Sequence, residues 1–373
     1  MQPPPAEIGM SFNEIDTPAL IVDLDAFERN LAKMAQVAAA AGVRLRPHAK
    51  THRCSAIARR QIALGAVGQC VQKVGEAEAL ADAGIDDILV SNQVVGASKL
   101  RRLAKLAERG TIALCFDAAA QIEAASQMAG EHGVELGGLV EIEVGMERCG
   151  VPPGEPARDL ARRIADAPHL RFEGLQAYNG RAQHLISSME RRQAIDGAIM
   201  AVRMTLEILG NDGLSCSVVG GAGTGTFRLE AGSGLYNELQ VGSYIFMDTD
   251  YARIRGDDGA NCEEFEHSLF VLSTVMSVPT CGRVIVDAGL KSYSAEKGLP
   301  WVHGTAGLEV VAASDEHGKL SIVPNGPAFK HGDKLRLIPG HCDPTVNLHD
   351  WYVGVRAGRV EELWRVDARG ASR

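Results

Sequence analysis

Between residues 24 and 255 the chain repeats one unit: a short apolar run, then a segment with apolar residues every three to four positions. Strand-like runs fall at 43–47, 66–71, 87–91, 112–116, 138–143, 172–177, 216–220 and 240–246. Helix-like segments fall at 24–41, 54–64, 73–83, 97–109, 118–132, 155–167 and 189–209, with Gly, Pro, Asn and Asp at the joins. Eight strand–helix units over roughly 220 residues match the rhythm of a (β/α)8 TIM-type barrel, an α/β fold. A doubly wound sheet is the alternative, but no Gly-x-Gly-x-x-Gly opens the first unit.

Past Arg255 the pattern changes to short β-rich runs at 269–278, 282–287, 307–311, 334–337, 351–356 and 360–366, and helical stretches vanish. The expected organisation is a barrel over 24–255 and a C-terminal all-β domain over 256–373, completed by an N-terminal strand at 17–23. Residues 1–16 read as a loose terminus.

Composition narrows the function. The net charge of −9 and the lack of basic runs argue against nucleic acid. The amino terminus has no basic-then-apolar signal pattern, and no apolar run approaches the ~20 residues that span a bilayer. The eight cysteines are scattered without a Cys-x-x-Cys pair, as expected of reduced thiols in a cytoplasmic protein.

In a barrel, chemistry gathers at the carboxyl ends of the strands. Those ends carry Lys50, Gln72, Asn92, Asp117, Arg148, Tyr178 with His184, the run 220–226, and Tyr244. A lysine in a partly desolvated mouth has its pKa lowered and can form a Schiff base with a carbonyl. In Gly220-Gly221-Ala222-Gly223-Thr224-Gly225-Thr226, glycines let backbone N–H groups converge on an anion and threonines add hydroxyls. A phosphate loop and a Schiff-base lysine in one mouth point to pyridoxal phosphate. Arg148 would pair with a carboxylate or donate to the pyridine nitrogen of that cofactor, keeping it unprotonated.

His341-Cys342-Asp343 lies in the β-rich part. If extended, His341 and Asp343 share a face and Cys342 points away. One imidazole and one carboxylate suit Mn²⁺, Mg²⁺ or Co²⁺; a cysteine ligand would favour zinc.

Several motifs together resemble D-threonine aldolase: Arg46-Pro47-His48-Ala49-Lys50, Gln72-Lys73-Val74, Arg148-Cys149-Gly150, Gln176-Ala177-Tyr178, Gly223-Thr224-Gly225, Gly242-Ser243-Tyr244, Phe246-Met247-Asp248, Asp287-Ala288-Gly289-Leu290-Lys291 and His341-Cys342-Asp343-Pro344-Thr345. The resemblance runs nearly end to end. It implies a fold-type III, alanine-racemase-like pyridoxal-phosphate enzyme, related to 3-hydroxy-D-aspartate aldolases and D-serine dehydratases. Asp343 resembles the aldolases, since the dehydratases carry His-x-Cys. The implied roles are Lys50 as Schiff-base lysine, Gly223, Thr224 and Gly225 around the phosphate, and Arg148 at the pyridine nitrogen. Gln72, Tyr178 and Tyr244 line the cofactor, His341 and Asp343 hold the divalent metal, and His184 is a base near the substrate hydroxyl. His48 and His52 are expected to support the site. Asn179 and Ala222 depart from the pattern of some relatives and bear on substrate fit.

The implied reaction is metal-dependent retro-aldol cleavage of D-3-hydroxy amino acids, D-threonine giving glycine and acetaldehyde, in a homodimer. The rival in chemistry is a dehydratase acting on D-serine or 3-hydroxyaspartate. A racemase leaves the His341/Asp343 pair unexplained, and a cofactor carrier needs no β-rich second domain.

Overall fold

The computed structural model describes residues 2–261, 263–280 and 282–373. Expectations resting on Met1, Cys262 and Cys281 lie outside these residues; the six described cysteines are free thiols.

Eight parallel strands form a curled sheet: Arg44–Leu45, Gln69–Val71, Asp87–Gln93, Thr111–Phe116, Leu136–Glu141, Leu170–Ala177, Val218–Gly221 and Glu238–Leu239. Each pairs with the next in sequence from the second onward, and the first pairs with the eighth. The ring closes between the first and second strands through a parallel bridge, His48 to Cys70, with Cys70 N donating to Pro47 O at 2.8 Å. Helices cover the outside, and Leu80, Val90, Leu103, Leu114 and Ile164 lie in the core between the layers. Strands buried on both faces read as continuous apolar runs, which is why Leu136–Glu141 is buried throughout.

Helix Leu24–Ala41 coincides with the 3.6-residue pattern. The Asp23 side chain accepts from Ala26 N at its start, and Gly42 at φ 65° ends it in the left-handed conformation. The eighth strand differs from expectation. It is Glu238–Leu239, and Ser243–Ile245 form a 3₁₀ turn in place of a strand over 240–246. The apolar run there serves another core, in which Tyr244, Ile245 and Phe246 pack with Phe27, Leu269, Tyr352 and Trp364. Phe27 sits 5.6 Å from Trp364 and 6.3 Å from Phe246, centroid to centroid. This core joins the barrel to the second sheet.

The second sheet runs in the order Leu308–Ala313, Gly318–Ile322, Arg283–Val286, Leu269–Thr280, Ala19–Asp23, Trp351–Arg356, Arg359–Arg365, with Lys334–Ile338 also paired to Leu269–Thr280 and Trp301–Val302 paired to Lys334–Ile338. The N-terminal strand Ala19–Asp23 is therefore interior: antiparallel to Leu269–Thr280 and parallel to Trp351–Arg356. Residues 2–16 are not loose. Gly9 N donates to Val360 O and Phe12 N to Gly358 O, while Ala6 and Ile15 are buried against Phe270 and Val353. Their apolar side chains are too few and irregular to show a period. Helix Cys342–Val346 is likewise unexpected, since five residues make little more than a turn. No helix among the described residues is long and apolar enough to cross a membrane.

Glycine substitutions separate two effects. At Gly174 (φ 146°) a Cβ would stand 1.9 Å from Val218 O, inside the barrel ladder; at Gly197, mid-helix, nothing lies within 4 Å. Gly174→Ala is expected to destabilise the protein by at least about 2 kcal/mol, and Gly197→Ala to stabilise it by about 0.5–1 kcal/mol. Denaturant melts of the two variants should move in opposite directions.

Candidate functional site

A cavity of about 410 Å³ opens at the carboxyl ends of the barrel strands, facing the second sheet. Lys50 enters it from the turn after the first strand, where His52 N donates to Ala49 O and Arg53 N to the same carbonyl. Lys50 Nζ lies 2.6 Å from Asp343 Oδ2, a contact between residues 293 positions apart.

This pairing corrects one expectation. Burial disfavours the Lys50 ammonium, but the Asp343 carboxylate outweighs it, so the lysine pKa is raised rather than lowered. Burial opposes the charge of Asp343 too; Lys50 and then His341 overcome it and hold the carboxyl well below the usual range. Asp343 Oδ1 is buried and has no partner among the described residues.

His341 and Asp343 do converge, by a different geometry from the one expected. His341 is extended (φ −151°, ψ 126°) and caps helix Cys342–Val346, so Asp343 lies in the first helical turn. His341 Nε2 is 4.0 Å from Asp343 Oδ1. Cys342 points away and is buried, its Sγ donating to Met247 O at 3.4 Å. His341 Nδ1 is bound by Glu296, which leaves Nε2 toward Asp343.

On the facing wall, His184 Nδ1 lies 2.6 Å from Asp250 Oδ2, and its ring packs on Tyr251 with centroids 5.7 Å apart. The Asp250 carboxyl is held low: burial would raise its pKa, but the bond from His184 prevails. A carboxylate on Nδ1 leaves Nε2 as the free ring nitrogen, on a side chain that lines the cavity.

The remaining walls carry other residues marked by sequence. Tyr178 lines the cavity, half-buried, and the desolvation of its phenol raises the pKa. The Arg148 guanidinium stands 6.0 Å from the Tyr178 ring centroid and 3.7 Å from Glu141 Oε1. Gln93 donates to the other Glu141 oxygen at 2.6 Å. Gln72 Nε2 lies 2.9 Å from His48 Nε2, with Ser91 Oγ 3.2 Å from the same nitrogen. Burial, and next the Lys50 charge, keep the His48 imidazole neutral. His52 is buried behind the site, where Cys54 N donates to its Nδ1 at 3.1 Å.

Gly223 and Thr224 line the cavity. The loop is pressed onto Gln183: Gly225 N donates to Gln183 Oε1 at 3.0 Å, and a Cβ on Gly223 or Gly225 would meet Gln183 at 2.5 or 2.6 Å. Below it, Gln183 donates to Thr226 Oγ1 at 2.8 Å, and that hydroxyl donates to Glu230 Oε1 at 2.7 Å. Ala222 takes a left-handed φ of 69°. Asn179 braces the wall behind, accepting from Ala182 N at 3.1 Å and donating to Val144 O at 2.9 Å.

Tyr244 stands apart. Its ring is 5.6 Å from Phe265 and its hydroxyl accepts from Gln61 at 3.0 Å, so it belongs to the joining core; its neighbours Gly242 and Ser243 line the cavity instead. Asp250, Glu296, Glu141 and Ser91 were not marked by sequence. Asp250, Glu296 and Ser91 are single polar residues whose partners lie more than 40 positions away, and Glu141 closes a strand without a pattern that marks it.

The donor set fits pyridoxal phosphate. Thr224 Oγ1 is buried with no partner among the described residues, at the loop where a phosphate would sit, and Lys50 reaches the same cavity. It also accommodates a divalent ion between His341 Nε2 and the unpartnered Asp343 oxygen. Among the described residues no group of three or more such ligands exists, so solvent or substrate would complete the shell.

Comparison with known proteins agrees with this arrangement. Residues 22–250 match the alanine racemase N-terminal domain, and residues 268–355 the putative serine dehydratase domain. The chain is 46% identical over 371 residues to D-threonine aldolase of Arthrobacter sp, covering 100% of this chain and 97% of that one. It belongs to the D-threonine aldolase family, alanine-racemase-like in fold. It is also 47% identical over 370 residues to 3-hydroxy-D-aspartate aldolase of Paracoccus denitrificans (strain Pd 1222), covering 98% and 95% of the two chains. The crystal structure of D-threonine aldolase from Filomicrobium marinum superposes with a TM-score of 0.96 at 47% identity, over 99% of each chain. Membership in this alanine-racemase-like aldolase family implies pyridoxal phosphate as cofactor.

The support beneath the glycine loop has a pH signature. Burial raises the Glu230 carboxyl from 4.5 to about 7, against the bond from Thr226. A carboxyl raised on folding contributes stability that is complete below its unfolded pKa and is lost as pH rises through the folded value. Stability is therefore expected to fall between about pH 4.5 and 7, and Glu230→Gln to flatten that fall. Urea midpoints across this range test it.

Proposed function

We propose that the protein is a pyridoxal-phosphate- and metal-dependent lyase that cleaves D-3-hydroxy amino acids between Cα and Cβ, releasing glycine and an aldehyde. The observation that carries this reading is that Lys50, His341 and His184 line one cavity, with Asp343 bonded to Lys50 beside His341 and Asp250 bonded to His184. D-Threonine would give acetaldehyde, and 3-hydroxy-D-aspartate is the second substrate to try, after the names of the relatives.

Pyridoxal phosphate supplies an electron sink for charge left on Cα, and a divalent ion supplies a Lewis acid that lowers the pKa of a substrate hydroxyl. Lys50 would hold the cofactor, Thr224 and the glycine loop its phosphate, and Arg148 its ring nitrogen. Because a guanidinium keeps its proton, and Glu141 stands behind it, Arg148 can donate to that nitrogen without protonating it. Gln72 and Tyr178 would flank the ring. His341 Nε2 and Asp343 Oδ1 are the metal donors, for which Mn²⁺ is the first choice and Mg²⁺ or Co²⁺ also suit.

His184 would take the proton from the β-hydroxyl at Nε2. Asp250 fixes its tautomer and stabilises the imidazolium that results, as the carboxylate of a catalytic triad does. A base on the β-hydroxyl favours Cα–Cβ cleavage, whereas elimination would need a proton or the Lewis acid to carry that oxygen away as it leaves. We place the enzyme in the cytoplasm, as a homodimer.

Aldehyde release from D-threonine and 3-hydroxy-D-aspartate, with and without EDTA, tests the reading. Activity abolished by EDTA, restored by Mn²⁺ and lost in Asp343→Ala is the expected result. Release of a 2-oxo acid and ammonia would instead identify a dehydratase. His184→Ala should lower kcat by about 10²–10⁴-fold. Asp250→Asn should also lower kcat, with little change in KM and a displaced acidic limb in the pH–rate profile.

A further inference from the structure

Asp248 is fully buried and lies outside the cavity lining. Its two oxygens take separate partners: Oδ2 accepts from Cys342 N at 3.0 Å, and Oδ1 accepts from Tyr251 N at 3.1 Å. Cys342 is the residue between His341 and Asp343. Tyr251 packs on His184 and directly follows Asp250.

The surrounding backbone reinforces both attachments. Thr249 N donates to Pro339 O at 3.1 Å, and Cys342 Sγ donates to Met247 O at 3.4 Å. Met247 is buried at a left-handed φ of 53°, a conformation held only where its surroundings enforce it. The N–H of a first helical residue has no partner within its own helix, and a carboxylate is a strong acceptor for it.

We propose that Asp248 is a positioning residue that sets the His341/Asp343 pair in register with the His184–Tyr251 wall. One buried carboxylate bonds an N–H from each side and so, with the neighbouring Thr249–Pro339 and Cys342–Met247 contacts, ties the metal donors to the wall that carries the base. This inference rests on the metal reading proposed above. An asparagine at 248 keeps the shape but turns an amide NH₂ toward one of the two N–H donors, so one side must release.

The test is Mn²⁺ titration by calorimetry of the cofactor-loaded protein, for the parent, Asp248→Asn and Cys342→Pro. The proline variant deletes the N–H on the other side of the bond together with the thiol; Cys342→Ala, which deletes the thiol alone, is its control and should bind Mn²⁺ as the parent does. The proline falls at the first helical position, after a residue already extended, where proline is accommodated. Asp248→Asn and Cys342→Pro should both bind Mn²⁺ about 10–100-fold more weakly, as loss of a supporting partner does at metal sites. Cofactor absorbance and melting temperature should stay near the parent's.

Mn²⁺ affinity within twofold of the parent in folded Asp248→Asn or Cys342→Pro overturns the proposal while the metal reading stands. So does either variant losing stability and cofactor together without a selective loss of metal. If Asp248→Asn fails to fold, Cys342→Pro decides. A parent that binds no Mn²⁺ removes the metal reading, and this inference falls with it.

Discussion

The contact between Lys50 and Asp343 organises the molecule. It joins the mouth of the barrel to the second sheet through a 2.6 Å ion pair. The two charges are partly withdrawn from water and each compensates the other, so deleting one leaves the other with an unbalanced desolvation cost. The pairing favours the ammonium form of the lysine. On the function proposed above, Asp343 would exchange this lysine for a cation beside His341.

Around this pair the fold uses one device repeatedly: each functional side chain is oriented by a carboxylate on the side away from the cavity. Asp250 holds His184, Glu296 holds His341, and Glu141 stands behind Arg148. The cost of withdrawing Asp250 and Glu141 from water is met by the group each one serves, while Glu296 remains exposed. Among the buried polar atoms without a hydrogen-bond partner in the described residues are Thr224 Oγ1 and Asp343 Oδ1, to which, on the function proposed above, a phosphate and a cation would supply one.

The barrel was legible because its strands are buried on both faces and its helices on one, so periodicity marks both. Lys50, Arg148, Tyr178 and His184 were legible as polar residues closing apolar runs, and His341 and Asp343 as a spaced pair. What could not be read was whatever depends on distant pairing. The rise in the Lys50 pKa comes from a residue 293 positions away. Tyr244 closes an apolar run just as Tyr178 does, yet its ring faces the joining core, and only the 3₁₀ turn at Ser243–Ile245 decides which way it points. His341 and Asp343 converge across the junction between an extended residue and a short helix, a junction that five residues cannot signal.

The strand Ala19–Asp23 has a consequence for how the chain can be made. It emerges early from the ribosome, yet both its neighbours, Leu269–Thr280 and Trp351–Arg356, are translated more than two hundred residues later. The barrel's neighbours are close in sequence and can pair as they appear, while this apolar strand must wait with both hydrogen-bonding edges unfilled. Severing the chain after the barrel would give neither half a complete sheet: one piece would carry a stray strand and the other a slot one strand wide. The two units are separate in architecture and inseparable in biosynthesis.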